Sequence, residues 1–363
     1  MNGLRFLLAG GGTSGHITPA LAIAEQIRLD CPDAEIRFCG TARGLESDLV
    51  PRAGYAFTPI RARGLPMKLS MDMIRALADF AAGRRQCRRL LREFQPNAVI
   101  GTGGYVCSPV VAAAASLKIP ILLHEQNAFP GRSNRLLARR AAAVCVSFPG
   151  TEQRFPSGTP VILTGNPVRS AFFGLERNAA RAQLAIAQDQ TLILVIGGSL
   201  GARSLNEAIL GLDWPGELKP SVILAAGRQH FTSVSEAARG KSWLSVREYI
   251  HDMDLHMAAA DLIICRAGAM TCAELTALGR PSILVPYPFA ASDHQTFNAR
   301  VLADAGAALL CPDAELSPAY LMTALQDLLA DPVRLQAMGR NAASLARPGA
   351  VRDICGHLYE VMR

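Results

Sequence analysis

Along this chain, short continuous apolar runs alternate with stretches whose apolar residues recur at helical spacing. The first such unit is "FLLAGGGTSGHITPALAIAEQI", residues 6–27. It opens as a strand, breaks into glycine and resumes as a helix. Further apolar runs predict strands within 34–44 and at 98–101, 121–124, 144–146, 221–225, 262–265 and 282–285, with helical stretches between them. Strands alternating with helices are the pattern of parallel sheets covered by helices on both faces. The second half restarts the first. "RFLLAGGGTSGH" at 5–16 recurs as "TLILVIGGSLGA" at 191–202, so Gly11, Gly12, Thr13 and Gly15 map onto Gly197, Gly198, Ser199 and Gly201.

These repeats predict an α/β chain of two Rossmann-like, doubly wound domains in series, facing a cleft. "TGNPVR" at 164–169 has the Gly/Asn/Pro punctuation of a boundary, giving domains at 1–165 and 166–347. One large sheet with a decorative second loop fits less well, because whole strand–loop–helix units repeat.

Composition is ordinary for a globular protein, with 50% hydrophobic and 18% charged residues. No secretory signal is read at the start, where strand residues run straight into glycine. The uncharged run 94–117 contains Pro96, Gly101, Gly103, Gly104 and Pro109, which fits strand–loop–helix rather than one membrane span. Nine scattered cysteines without a C-x-x-C pair read as reduced residues of a cytoplasmic protein. Charge divides unevenly. Residues 1–165 hold 20 Lys+Arg against 11 Asp+Glu (+9), and the remainder holds 17 against 19 (−2). The first half is therefore the one suited to an anionic surface or substrate.

Gly10-x-Gly12-x-x-Gly15 matches the dinucleotide fingerprint, yet the next strand leaves through Cys39-Gly40-Thr41 with no acid to hold a ribose. The loop's N–H groups and the helix behind it still favour an anion. His16, where loop becomes helix, is a candidate base, or else a histidine that caps the helix or packs on the loop. Gly103, Gly104 and Tyr105 form a second loop that could meet an acceptor phosphate. Glu125 could orient a base or act as one, and Asn127 could bind a sugar hydroxyl. In the second half Ser199 suits a diphosphate. Thr271-x-x-Glu274 reads as a capping box, or Glu274 as a ribose ligand. Asp293, Gln295 and Asn298 suit a sugar. Asp252-x-Asp254 is explained by a helix start, and His251 and His256 do not share a helix face, so no metal site is assigned. Nucleotide-kinase and serine-hydrolase motifs do not occur.

Residues 61–94 interleave basic Lys68, Arg75, Arg84, Arg85 and Arg88 with apolar Ile74, Leu77 and Phe80. Such a mixture suits anionic lipid. Nucleic acid is disfavoured by an aromatic content of 6% and the lack of a binding motif.

With "GGTSGH", "GTARGLESDLVP", "GTGGY", "HEQN", "GNPVR", "GGSLGARSLN", "RAGAMTCAE" and "DHQTFNA" in this order, the chain resembles the bacterial peptidoglycan N-acetylglucosaminyltransferases of glycosyltransferase family 28. The resemblance implies a GT-B fold and inverting transfer of GlcNAc from UDP-GlcNAc to the 4-hydroxyl of MurNAc in lipid I (undecaprenyl-diphosphate-MurNAc-pentapeptide). It implies peripheral attachment to the cytoplasmic face of the inner membrane, cell-wall synthesis proteins as further partners, and a last helix, about 348–363, crossing back onto the first domain. No tightly bound cofactor or protein-held divalent metal is implied. Carried over by motif, Thr13, Ser14, Gly15 and Asn127 face the donor sugar. Arg169 and Ser199 lie near the diphosphate, Ile250 near uracil, and Ala269, Met270, Thr271, Cys272, Ala273 and Glu274 around the nucleotide, with Glu274 on ribose. Gln295 meets GlcNAc. Ser14 replaces a glycine common in the family, and His294 stands where glutamine often occurs. His16 is the expected base, with Glu125 as competitor. Alternatives are a UDP-GlcNAc 2-epimerase, another sugar-nucleotide enzyme, or a non-catalytic nucleotide-sugar-binding module.

Overall fold

The structure is a computed structural model and describes residues 3–64, 66, 70–198, 200–214 and 220–363. Lys68 and Ser199 lie outside the described residues. Two compact units are formed, Met1–Val168 with Arg347–Arg363, and Arg169–Ala346.

The first unit holds seven strands: β1 (Arg5–Gly10), β2 (Glu35–Gly40), β3 (Ala56–Pro59), β4 (Ala98–Gly103), β5 (Ile121–Glu125), β6 (Ala143–Val146) and β7 (Val161–Leu163). They form one parallel sheet in the order β3-β2-β1-β4-β5-β6-β7. The apolar run of β1 is continuous because both faces are covered. Phe6 and Leu8 enter the core shared with Ile17, Ile23 and Ile27 of the helix Ser14–Asp30, while Leu7 and Ala9 enter the opposite core with Cys87, Leu91 and Val110. The last helix, Ala350–Glu360, packs on Ser14–Asp30. It buries Ile354, Cys355 and Leu358, and the Tyr359 hydroxyl donates to Asp30 at 2.9 Å.

The second unit repeats the plan with six strands: β8 (Leu192–Ile196), β9 (Ser221–Ala225), β10 (Leu244–Arg247), β11 (Leu262–Cys265), β12 (Ser282–Leu284) and β13 (Ala308–Leu310). Their parallel order is β10-β9-β8-β11-β12-β13. In both sheets the winding reverses beside the first strand, between β1 and β4 and between β8 and β11. Ligand crevices of such sheets open there, at the carboxyl ends. The strands absent from the apolar-run pattern are β3, β7, β10 and β13, the four sheet edges. Each is only three or four residues long and mostly half-buried, so its sequence lacks a sustained apolar run. All nine cysteines are buried and unpaired.

Candidate functional site

At the β1/β4 reversal the two glycine loops pack directly on each other. A Cβ on Gly10 would lie 2.0 Å from Thr102 Oγ1, and one on Gly104 would lie 2.2 Å from the Gly11 carbonyl. Gly103 and Gly104 also take φ of +108° and +79°, which side-chain-bearing residues avoid. Glycine is thus required by the contact between loops as well as by any ligand. The Tyr105 ring lies against Gly12.

His16 sits in this junction, its ring against Gly103 and Gly104. Its Nδ1 is 3.2 Å from the Gly11 carbonyl and 3.1 Å from Thr13 Oγ1. A carbonyl can only accept, so Nδ1 carries the proton and Nε2 is the basic nitrogen of the neutral ring. Thr13 holds the N-cap position of Ser14–Asp30, and His16 turns back to the loop carbonyl and packs on the second loop, as the alternative reading of this histidine also has it.

By sequence the loop's N–H groups suit an anion, and one of them is already engaged. The Gly12 N–H donates to Glu46 Oε2 at 3.1 Å. Glu46 is fully buried and also accepts from Thr41 N (2.9 Å) and Thr41 Oγ1 (2.7 Å). Burial alone would raise its carboxyl, but the Thr41 hydroxyl and the N–H donors outweigh that and hold it below the ordinary range. The loop is built around an internal carboxylate, so the Gly12 N–H is spent before any phosphate arrives.

Glu125, at the end of β5, is buried with four donors on its carboxylate. Asn127 N and Nδ2 reach Oε1 at 3.0 Å each, while Gly131 N and Asn134 Nδ2 reach Oε2 at 2.9 Å each. This arrangement shapes the loop that presents Asn127. His124 is buried and neutral, pushed down to about 4 by burial against the opposing pull of the Gly165 carbonyl. Thr13 and Ser14 are exposed, and Gly15 and Asn127 are partly so.

In the second unit the helix Ala269–Leu278 starts at the carboxyl end of β11, with Gly268 as N-cap and no side-chain cap bond. The expected capping box is therefore not formed. The helix begins before Thr271, so Glu274 falls in its second turn and is released from a capping role. Cys272 is fully buried, and Ala269 and Met270 nearly so, which leaves Thr271, Ala273 and Glu274 as the more accessible positions of this segment. Burial pushes the Glu274 carboxyl up to about 7, with Arg169 pulling it down and Asp254 adding to the rise. Arg169 stands over the Phe172 ring at 5.3 Å, in the turn that packs on this helix. Ile250 is buried beyond β10.

Gln295 opens the helix His294–Asp304, and its Oε1 accepts from Tyr287 N at 2.9 Å. Just before it, Ser292 and Asp293 both take the left-handed region, at φ 55° and 53°. Two adjacent non-glycine residues held there mark a strained turn, a feature concentrated at functional sites. Asn298, a candidate sugar ligand, is instead fully buried and donates to the Ala267 carbonyl at 3.1 Å. Asp293 accepts from Thr296 within its own turn. Among the described residues no group of His, Cys, Asp and Glu is placed to hold a metal.

Two organising residues escaped the motif reading. Glu46 lies inside "GTARGLESDLVP" but shows no periodicity or pair that marks it. Arg266, in "RAGAMTCAE", donates to the Val285 and Pro286 carbonyls, to Asp313 at 2.6 Å and to Ser204 at 2.8 Å. It ties together the carboxyl ends of β11, β12 and β13. A lone charged residue directly after a buried strand was the available signal.

In the segment read as lipid-facing, the helix Met71–Phe94 buries Ala76, Gly83, Cys87, Leu90, Leu91 and Phe94. Met71, Ile74 and Leu77 are left 67%, 61% and 54% exposed. Arg75 is exposed beside Asp72, Arg84 and Arg85 are exposed, and Phe80 and Arg88 are partly buried. Among the described residues no helix is long and apolar enough to cross a membrane.

Two parallel-sheet α/β units, each with a glycine loop at its winding reversal, have the GT-B fold. Residues 6–146 match the glycosyltransferase family 28 N-terminal domain, and residues 192–354 match the C-terminal domain. The chain belongs to glycosyltransferase family 28. It is 44% identical over 360 residues to the UDP-N-acetylglucosamine--N-acetylmuramyl-(pentapeptide) pyrophosphoryl-undecaprenol N-acetylglucosamine transferase of Desulforudis audaxviator, covering 97% of this chain and 96% of that one. The transferase of the same name from Acetivibrio thermocellus is 41% identical, with 99% of each covered. A crystal structure of Acinetobacter baumannii MurG superposes with a TM-score of 0.78 at 32% identity, over 98% of this chain and 99% of that one.

Proposed function

We propose that this protein transfers N-acetylglucosamine from UDP-GlcNAc, with inversion, to the 4-hydroxyl of MurNAc in undecaprenyl-diphosphate-MurNAc-pentapeptide, producing lipid II and UDP. The observation that carries the reading is the likeness over the whole chain, at about 40% identity, to transferases bearing that name. In the proposed reaction the acceptor oxygen bonds to C1 of GlcNAc as the bond from C1 to the UDP oxygen breaks. His16 Nε2 takes the hydroxyl proton, and UDP leaves with the electron pair. His16 is preferred to Glu125 because the Nδ1–H tautomer leaves Nε2 as a basic nitrogen, whereas protonating Glu125 would break hydrogen bonds on a carboxylate that already accepts four.

On the second unit, Glu274 takes the ribose hydroxyls, Arg169 and the start of the helix Ala269–Leu278 offset the diphosphate charge, Ile250 lines uracil, and Gln295 meets GlcNAc. Ser199 is assigned to the diphosphate by motif. These protein groups make a resident metal unnecessary. Gly103, Gly104 and Tyr105 serve the acceptor, and Thr13, Ser14, Gly15 and Asn127 the donor sugar. The exposed Met71, Ile74 and Leu77 with the neighbouring arginines favour peripheral attachment to an anionic membrane, on its cytoplasmic face.

His16→Ala and Glu125→Gln, assayed at saturating donor, test the base. His16→Ala is expected to lower kcat by about 10²-fold or more, the range of general-base catalysis. Full activity of His16→Ala would refute the assignment.

A further inference from the structure

Beneath the first glycine loop, the carboxylate of Glu46 and the imidazole of His16 hold opposite ends of one peptide group. The Gly12 N–H donates to Glu46 Oε2 at 3.1 Å, and the Gly11 carbonyl of the same peptide bond accepts from His16 Nδ1 at 3.2 Å. A peptide is a rigid planar dipole whose N–H and C=O point in opposite directions. An anion at its N–H end draws positive charge toward itself and leaves the carbonyl oxygen more negative. A more negative carbonyl holds the Nδ1 proton more firmly, orients the ring and raises the basicity of Nε2.

The surroundings are shaped for this. A Cβ on Gly44 would lie 2.3 Å from the Glu46 carboxylate oxygens, and one on Gly11 would lie 2.7 Å from Oε1. Thr41 occupies the other carboxylate oxygen with its N–H and its hydroxyl. Gly104 closes over the Gly11 carbonyl, where any side chain would displace it. The carboxylate is thus desolvated, hydrogen-bonded and kept ionised, which is the form the polarisation requires. The other ionisable groups of the strands and loops around this junction are Glu35, Arg37 and Cys39 on β2, Cys107 bonded to Gly103, Tyr105 beside Gly12, and His124 and Glu125 on β5, the last two held in their own hydrogen bonds.

We infer that Glu46 is a positioning residue for catalysis, acting on His16 through the Gly11–Gly12 peptide as a carboxylate–peptide–imidazole relay. Glu46 takes no proton in the reaction. It stays a carboxylate while His16 passes from neutral to imidazolium, and its charge favours that passage. The inference rests on the reading of His16 as the base, but its test separates the two.

The test is histidine titration by ¹⁵N NMR in wild type and Glu46→Gln, with His16→Ala assigning the signal among the seven histidines. Acting across one peptide group in a partly buried medium, loss of the charge should lower the His16 pKa by about one unit. The acidic limb of the kcat profile should move down with it, and kcat should fall several-fold with KM for UDP-GlcNAc unchanged. Thr41→Val removes a hydrogen bond from the same carboxylate but keeps its charge, so His16 should titrate as in wild type. A folded Glu46→Gln protein whose His16 titrates at the wild-type pH would overturn the relay. In the wild type alone, neutral His16 must show the Nδ1–H tautomer, and an Nε2–H tautomer would overturn it even if Glu46→Gln does not fold. If His16→Ala keeps full activity, the base assignment fails instead, and the titration still decides whether Glu46 acts on the ring.

Discussion

Replacing Glu274 with glutamine should make the ligand-free protein more stable at alkaline pH while weakening its hold on the donor. The carboxyl titrates at about 7 in the folded chain, raised by burial and by Asp254 against the pull of Arg169. In the unfolded chain it returns to its ordinary 4.5. Between these values the folded state keeps a proton that the unfolded state has released. Its contribution to stability is therefore full below pH 4.5 and is lost as pH rises through 7. At 1.36 kcal/mol per pKa unit the loss approaches about 3 kcal/mol, trimmed to roughly 2–3 by residual solvent at a partly buried group. Glutamine carries no ionisable group and avoids that loss. Denaturant unfolding at pH 5 and pH 8 should show Glu274→Gln close to wild type at the lower pH and more stable by about that amount at the higher. Donor binding should move the other way. An ionised carboxylate accepts both ribose hydroxyls, each such bond being worth about 1.5–3 kcal/mol, so KM for UDP-GlcNAc should rise at least about tenfold. In the wild type that KM should also rise as pH falls through 7. A variant equally destabilised at both pH values would refute the argument, as would an unchanged donor KM.

Other expectations follow from different parts of the chain. Arg181 is fully buried, donating to the Ala259, Ala187, Gln188 and Gln190 carbonyls and to Asp261 at 2.6 Å. Arg181→Met should cost about 3–5 kcal/mol in chemical denaturation, because four backbone carbonyls lose their donor and Asp261 is left with Arg177 as its counter-charge. The specific activity of the folded fraction should remain, since Arg181 lies at the amino ends of β8 and β11. The double change Ile74→Asp and Leu77→Asp removes exposed apolar surface, so unfolding should shift by less than about 0.5 kcal/mol. Sedimentation with vesicles containing anionic lipid should nevertheless fall sharply. Unchanged vesicle binding would exclude that face as the lipid contact.

The central strands and the repeated glycine loops were legible in sequence because both faces of a parallel sheet are buried, which leaves continuous apolar runs. The edge strands were not, since residues such as those of "LSVR" in β10 are half-exposed and patterned like loops. His16, Glu274 and Gln295 could be singled out because they stand where strand or loop becomes helix, next to glycine or within a recognisable motif. The role of Glu46 could not be read. Its partner Gly12 is 34 residues away, and the hydrogen bond exists only once β1 and β2 are side by side. The capping box failed for a local reason: Gly268 supplies the helix start without a side-chain cap, so the Thr271-x-x-Glu274 spacing has no cap to make. Asn298 had the composition of a sugar ligand, but its position in the fold gives it a buried backbone carbonyl instead.

The most direct measurement is release of UDP from UDP-GlcNAc by the purified chain, with and without a polyprenyl-diphosphate-MurNAc-pentapeptide acceptor in detergent. Release that requires the acceptor, matched mole for mole by a β-linked GlcNAc-MurNAc product, is the predicted result. Release without acceptor, or none when acceptor is supplied, would contradict the proposed transfer.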